Sequence, residues 1–267
     1  MSDPIPSDLT GLWRREVMIL PDGRRDTDTR VLWLQTRGLF ADIRIPADRP
    51  SRAASSFGDY TDAELVELAK MYGFAGSFET EGGFCRWRRR LDYHPPGGPP
   101  DEANFTLDGD LLIELGIHAD YREDWRRDTE AAAPVASFTL AEEGGPAGML
   151  VIAGDHFILI EDRLEALPQA PSLAALVSSD LESGNRAAAE GRLAMKIAYG
   201  RIAEGWKIAL STFPWLEGTG LFDGRSGRFA ESEGTLDLSG PGRQRWRLID
   251  SSFLPGDLGA LMPRILP

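Results

Sequence analysis

"DLTGLWRRE" (Asp8–Glu16) places a Gly-x-Trp, Gly11 to Trp13, ahead of a strand-like run. A tryptophan so early, two residues after a glycine, suits a first β-strand. The stretches that follow agree. Val17–Leu20 is apolar and runs into the turn Pro21-Asp22-Gly23. Val31–Thr36 is the next run, closed by Arg37-Gly38. In Phe40–Ile45, Ala41, Ile43 and Ile45 alternate with Phe40, Asp42 and Arg44, the period of a strand. Thr61 and Glu64 then form a capping box, and Leu65, Leu68, Ala69 and Tyr72 give a helical stripe stopped at Gly73. Strands are predicted over 74–79, 85–93, 104–107, 111–117 and 121–125, with a Pro/Gly loop at 95–100.

"DTEAAAPV" (128–135) reads as a linker, after which a similar order begins again. "LFADIRIPADR" (39–49) rhymes with "DHFILIEDR" (155–163), and a helix follows each; the second starts after Pro171. Gly154-Asp155 is a hairpin turn. Trp87 corresponds to Trp206, and Trp125-Arg126 to Trp246-Arg247, at an offset of about 120 residues. The expected fold is all-β with a short helix per half: two tandem antiparallel β-barrels, residues 1–130 and 131–267.

Gly11 and Trp13 on a first strand, with Trp125 and Arg126 (or Arg127) on a last one, resemble the signature of the calycin, or lipocalin-like, barrels. That resemblance implies a Trp across the closed end of the barrel with an arginine over its ring. Longer segments around Asp28-Thr29, Asp42-Ile43-Arg44, Phe74-Ala75-Gly76, Trp87-Arg88, Gly109-Asp110, Glu114-Leu115-Gly116 and Trp125-Arg126 resemble a fungal and bacterial family of uncharacterised proteins. The family is named for interaction with a casein-kinase-type enzyme and has tandem lipocalin-like barrels. The matching pieces lie in the first half, and the second half lacks a Gly-x-Trp at its start.

The 267 residues carry a net charge of -13, which opposes binding to a phosphate backbone. No stretch suits a membrane span or a signal peptide, and the single cysteine, Cys85, fits a reducing compartment. The expectation is a cytoplasmic protein without nucleic-acid or membrane partners, with Cys85 as a packing thiol. His94, His118 and His156 lack metal-ligand spacing, and no P-loop or nucleophile elbow is present. No metal, no cofactor and no catalytic residue are therefore assigned.

Polar residues at alternating strand positions are the functional signal. Trp33 and Gln35 share one face, Asp42 and Arg44 another; Arg86, Arg88 and Arg90 a third; Glu114 and His118 a fourth, if that strand continues. Pointing inward, Trp33, Gln35, Asp42, Arg44, Trp87, Arg88, Glu114 and His118 would line a barrel for a small ligand, the arginines gripping an anion. Parity alone favours the opposite, with Ile43, Ile45, Ile113, Leu115 and Ile117 in the core and the charges in water. The leading expectation is a small-molecule binding protein. The alternatives are a protein-interaction module with packed barrels, or a small enzyme pairing His118 with Glu114 or Asp120.

Overall fold

The computed structural model describes residues 5–140, 147–224, 226–230, 232–239, 244–254 and 256–261. Strand β1 (Gly11–Ile19) starts at the Gly-x-Trp. It is followed by β2 (Arg25–Asp26), β3 (Arg30–Gln35), β4 (Phe40–Ile45) and helix α1 (Asp62–Leu68). Then come β5 (Tyr72–Glu81), β6 (Phe84–Asp92), β7 (Asp101–Asp108), β8 (Leu111–Gly116) and β9 (Arg122–Asp128). Each strand pairs antiparallel with its neighbour, and β1 pairs with both β3 and β9, from Leu12↔Asp128 to Ile19↔Arg122. That double pairing closes β1 and β3–β9 into an eight-stranded barrel, which removes the sheet edges.

The second half runs β10 (Val135–Leu140), β11 (Gly148–Ala153), β12 (His156–Glu161), α2 (Leu173–Glu182) and α3 (Arg186–Arg192). It continues with β13 (Lys196–Arg201), β14 (Lys207–Ser211), β15 (Ser226–Ala230), β16 (Thr235–Ser239), β17 (Gln244–Ser251) and α4 (Asp257–Leu261). The sheet order is β14-β13-β12-β11-β10-β17-β16-β15. This follows the order of the first barrel, but β14 and β15 do not pair among the described residues. Leu216, Leu221 and Phe222, from the segment between them, pack against the core there, Phe222 lying 5.0 Å from Trp206.

Local chemistry explains the elements. Both reciprocal bonds of the Thr61/Glu64 capping box form. Tyr72 belongs to β5 rather than to α1, because the helix ends at Leu68. Gly154-Asp155 is the two-residue hairpin loop between Ala153 and His156. Helix α3 has no apolar stripe to betray it; Asn185 starts it by accepting from the Ala188 amide.

Strand β4 is buried on both faces. Phe40 packs in the barrel interior with Trp33 and Phe74. Ala41, Ile43 and Ile45 point outward into a second core shared with Ile158, Ile160 and Ile197 of the other half. Ion pairs and carbonyl contacts rim this shared core. Arg49 forks onto Glu217 at 2.8 and 3.0 Å, and Arg163 donates to the Tyr93 carbonyl at 3.0 Å.

Gly11 sits at φ +119°, and a Cβ there would lie 2.8 Å from the Ala131 carbonyl oxygen. Gly11→Ala is therefore expected to cost about 1–3 kcal/mol, measured as a lower urea midpoint. An unchanged midpoint would show that the Ala131 segment yields freely.

Candidate functional site

The barrel interior is built in layers from a tryptophan floor. Trp13 donates its indole N–H to the Leu9 carbonyl at 2.9 Å and stacks on Trp33 at 5.9 Å. Trp87 and Trp125 meet Trp33 edge-on at 5.8 and 5.7 Å. The arginine at the floor is Arg127, 6.0 Å from the Trp13 ring, with its guanidinium donating to the Ser7 and Thr10 carbonyls. Of the two arginines expected as candidates there, Arg126 lies on the outer face and pairs with Glu16 and Asp110. Gln35 is buried near the floor. It accepts from Trp33 Nε1 at 3.2 Å and donates to the Thr36 carbonyl at 2.7 Å, so it supports the floor and does not line the cavity above.

Above the tryptophans is a cavity of about 240 Å³, with Trp33, Trp87, Trp125, Tyr72 and Phe74 on its walls beside Asp42, Arg44, Arg89, Asp101, Glu114 and Glu123. It opens into a groove of about 690 Å³ under the Pro95–Pro100 loop, where Arg163 and Leu167 of the second half form the far wall. Glu114 is 3% exposed, whereas Leu115 and Ile117 are 49% and 43% exposed. The simple hydrophobic-inside pattern therefore fails here: Glu114 is inside beside Leu112, while Leu115 and, just past the strand, Ile117 are outside.

Asp42 takes two hydrogen bonds from Arg44 Nε, at 3.0 and 3.2 Å. Arg44 Nη1 reaches Glu123 Oε1 at 3.2 Å, and Arg15 reaches the same oxygen at 2.7 Å. Arg89 binds Asp101 at 2.7 Å, and also Asp92 and the Tyr72 hydroxyl. Glu114 accepts from the Tyr121 hydroxyl at 2.7 Å and from Trp125 Nε1 at 3.0 Å. Burial pushes the Asp42 carboxyl up to about 6 despite the adjacent Arg44. Burial, followed by the Glu123 carboxylate directly across the strand pair, pushes Glu114 up to about 8.

Of the expected site residues, Trp33, Asp42, Arg44, Trp87 and Glu114 meet at this cavity. Arg88 does not: it is exposed and pairs with Glu79. The cavity arginine is Arg89, which plain alternation places on the face of Cys85 and Trp87. The bulge opposite Ala75 and Gly76 comes after it and turns Leu91 outward into the shared core. A Cβ on Gly76 would fall 1.9 Å from the Arg88 carbonyl oxygen, so the bulge needs glycine. His118 is also outside. Strand β8 ends at Gly116, and His118 Nε2 lies 2.8 Å from Glu102 in the open groove, away from Glu114. Sequence reasoning did not pick out Glu123, although it shares the β9 face of Trp125; nor did it pick out Tyr72, Asp101 and Tyr121.

Cys85 is buried, its thiol pushed up by burial and donating to the Ala103 carbonyl. Phe213 and Trp215 pack on Phe57 of the first half, in the shared core. Beside Trp246 in the second half the free space is about 10 Å³. Among the described residues no group of three or more His, Cys, Asp or Glu side chains is placed to hold a metal ion. No described helix is long and apolar enough to cross a membrane.

No family model matches the chain, and no curated protein matches it. Among solved structures it is similar to the crystal structure of the uncharacterized protein YLR301w from Saccharomyces cerevisiae. The TM-score is 0.57 at 13% identity, over 91% of this chain and 99% of that one. A likeness at this identity shows a shared all-β fold and nothing about chemistry.

Proposed function

We propose that this is a soluble, cytoplasmic binding protein that holds a small molecule in the cavity of its first barrel. The observation that carries the reading is the cavity itself, about 240 Å³ with buried Asp42, Glu114 and Glu123 on its wall. Buried ion pairs are often no more stabilising than apolar packing of equal volume, so folding alone does not call for them. A concave site combining aromatic walls with shifted carboxyls is the usual form of a ligand pocket.

Kinship with the family named for a casein-kinase-type partner belongs to the same proposal. So does the division at residue 130 into tandem lipocalin-like barrels, the second opened between β14 and β15. The like order of the two sheets and the Trp13–Arg127 floor support it. The tight packing beside Trp246 favours a scaffolding or interaction role for the second half. The alternative of a small enzyme would rest on His118 with Glu102 in the groove, since His118 lies beside Glu102 instead of Glu114.

Native mass spectrometry of the protein purified from its own host is expected to show a retained small molecule. Met18→Trp, which crowds the cavity from β1, should abolish the added mass. Protein that is empty in both forms would sink the proposal.

A further inference from the structure

We infer that the cavity takes an organic cation, an amine or quaternary ammonium group whose carbon body lies against Trp33, Trp87 and Trp125. This rests on reading the first barrel as a ligand site and names the class of ligand.

An anion is disfavoured because, among the described residues, five of the six guanidinium nitrogens of Arg44 and Arg89 are already engaged. Arg44 spends Nε on Asp42 and Nη1 on Glu123. Arg89 spends all three nitrogens on Asp101, Asp92 and Tyr72. Charge also counts against an anion. Four carboxyl groups, Asp42, Asp101, Glu114 and Glu123, line the cavity; Glu114 keeps its proton up to about 8, which leaves three to set against the two guanidiniums of Arg44 and Arg89. Arg15 behind the wall does not redress this, since it is shared between Glu123 and Asp26. Both guanidinium hydrogen bonds to Glu123 fall on Oε1. Its Oε2 has no hydrogen bond among the described residues, although the side chain is 2% exposed. Burial first and the Glu123 carboxylate second keep that proton on Glu114.

The walls select an organic cation over a metal ion. Asp42 and Glu114 have both oxygens engaged by N–H or O–H donors, which leaves no cluster of free oxygens for a hard ion. The rings already stabilise cations at this spot: Arg89 lies 3.8 Å from the Phe74 centroid, and Arg44 lies 5.4 Å from it. Aromatic faces beside carboxylates are the chemistry that recognises ammonium groups.

The test is calorimetric titration of the full chain with choline, with 3,3-dimethyl-1-butanol as its uncharged isostere, and with benzoate. Choline is expected to bind at least tenfold more tightly than either of the others. Asp101→Asn, at the mouth, should weaken choline about tenfold and leave the isostere unchanged. Trp125 indole N–H shifts by NMR would place the probe, with the thermal midpoint of the variant confirming its fold. Isostere or benzoate binding as tightly as choline would overturn the cation inference while leaving a ligand site in the barrel. An Asp101→Asn protein that binds choline as wild type does would also overturn it. Failure of all three probes at millimolar concentration overturns it too, and the retained-mass experiment then decides separately whether the barrel holds a ligand.

Discussion

Glu114→Gln will remove most of the fall in stability that the wild-type protein shows between pH of about 4.5 and about 8. The folded Glu114 carboxyl keeps its proton up to about 8, against 4.5 for the unreacted group. A carboxyl whose folded pKa is raised contributes stability that is complete below the unfolded value and lost as pH rises through the folded one. At about 1.4 kcal/mol for each pH unit, the loss across this window is on the order of 5 kcal/mol. Asp42 adds a smaller fall of the same sign between 3.8 and about 6. Glutamine keeps the shape and stays neutral: its carbonyl can accept from Trp125 and its amide can donate to Tyr121. Urea melts of both proteins at the two ends of the window check this. Parallel pH profiles would mean that Glu114 is ionised in the fold.

Arg44→Met is the second large effect, with an expected loss of about 3–5 kcal/mol at neutral pH. The substitution leaves the wall aliphatic but, among the described residues, strips Asp42 of its one side-chain donor, Nε, and Glu123 of one of two. Buried carboxylates then lose their counter-charge, so the penalty should shrink toward pH 5 as Asp42 takes up a proton. Adding Asp42→Asn to Arg44→Met should restore part of the stability. A double variant no more stable than the single would show that Arg44 acts through packing on Phe74 and Trp125 rather than through charge.

The strands were legible because period-two alternation is a direct image of the pleat, and Phe40–Ile45 was read to the residue. The inward set Trp33, Asp42, Arg44, Trp87 and Glu114 was legible as faces, but parity could not say which face was inside. Ordinarily the apolar face answers that question. Here Ile43 and Ile45 face a second sheet, a tertiary contact that one strand's own sequence does not record. Arg89 was hidden for a different reason. It keeps the parity of Trp87, but the arginines at 86, 88 and 90 alternate as a set and draw attention to the opposite face. His118 was overreached by letting β8 run past Gly116, where the chain turns back through a bond from the Gly116 amide to the Tyr121 carbonyl. Helix α3 escaped notice because a run of alanines carries no hydrophobic stripe.

The double burial of β4 also bears on how this protein tolerates mutation. A strand with one wet face accepts exchanges at every second position. Strand β4 has an ion network on one side and a neighbouring sheet on the other, so its tolerant positions are used up. In a saturation scan scored by abundance, residues 40–45 should form an unbroken block of intolerance. Residues 111–116 of β8, with Leu115 in solvent and Glu114 inside, should alternate. Homologues would then drift at the outer rim of the barrel long before the wall that the two halves share.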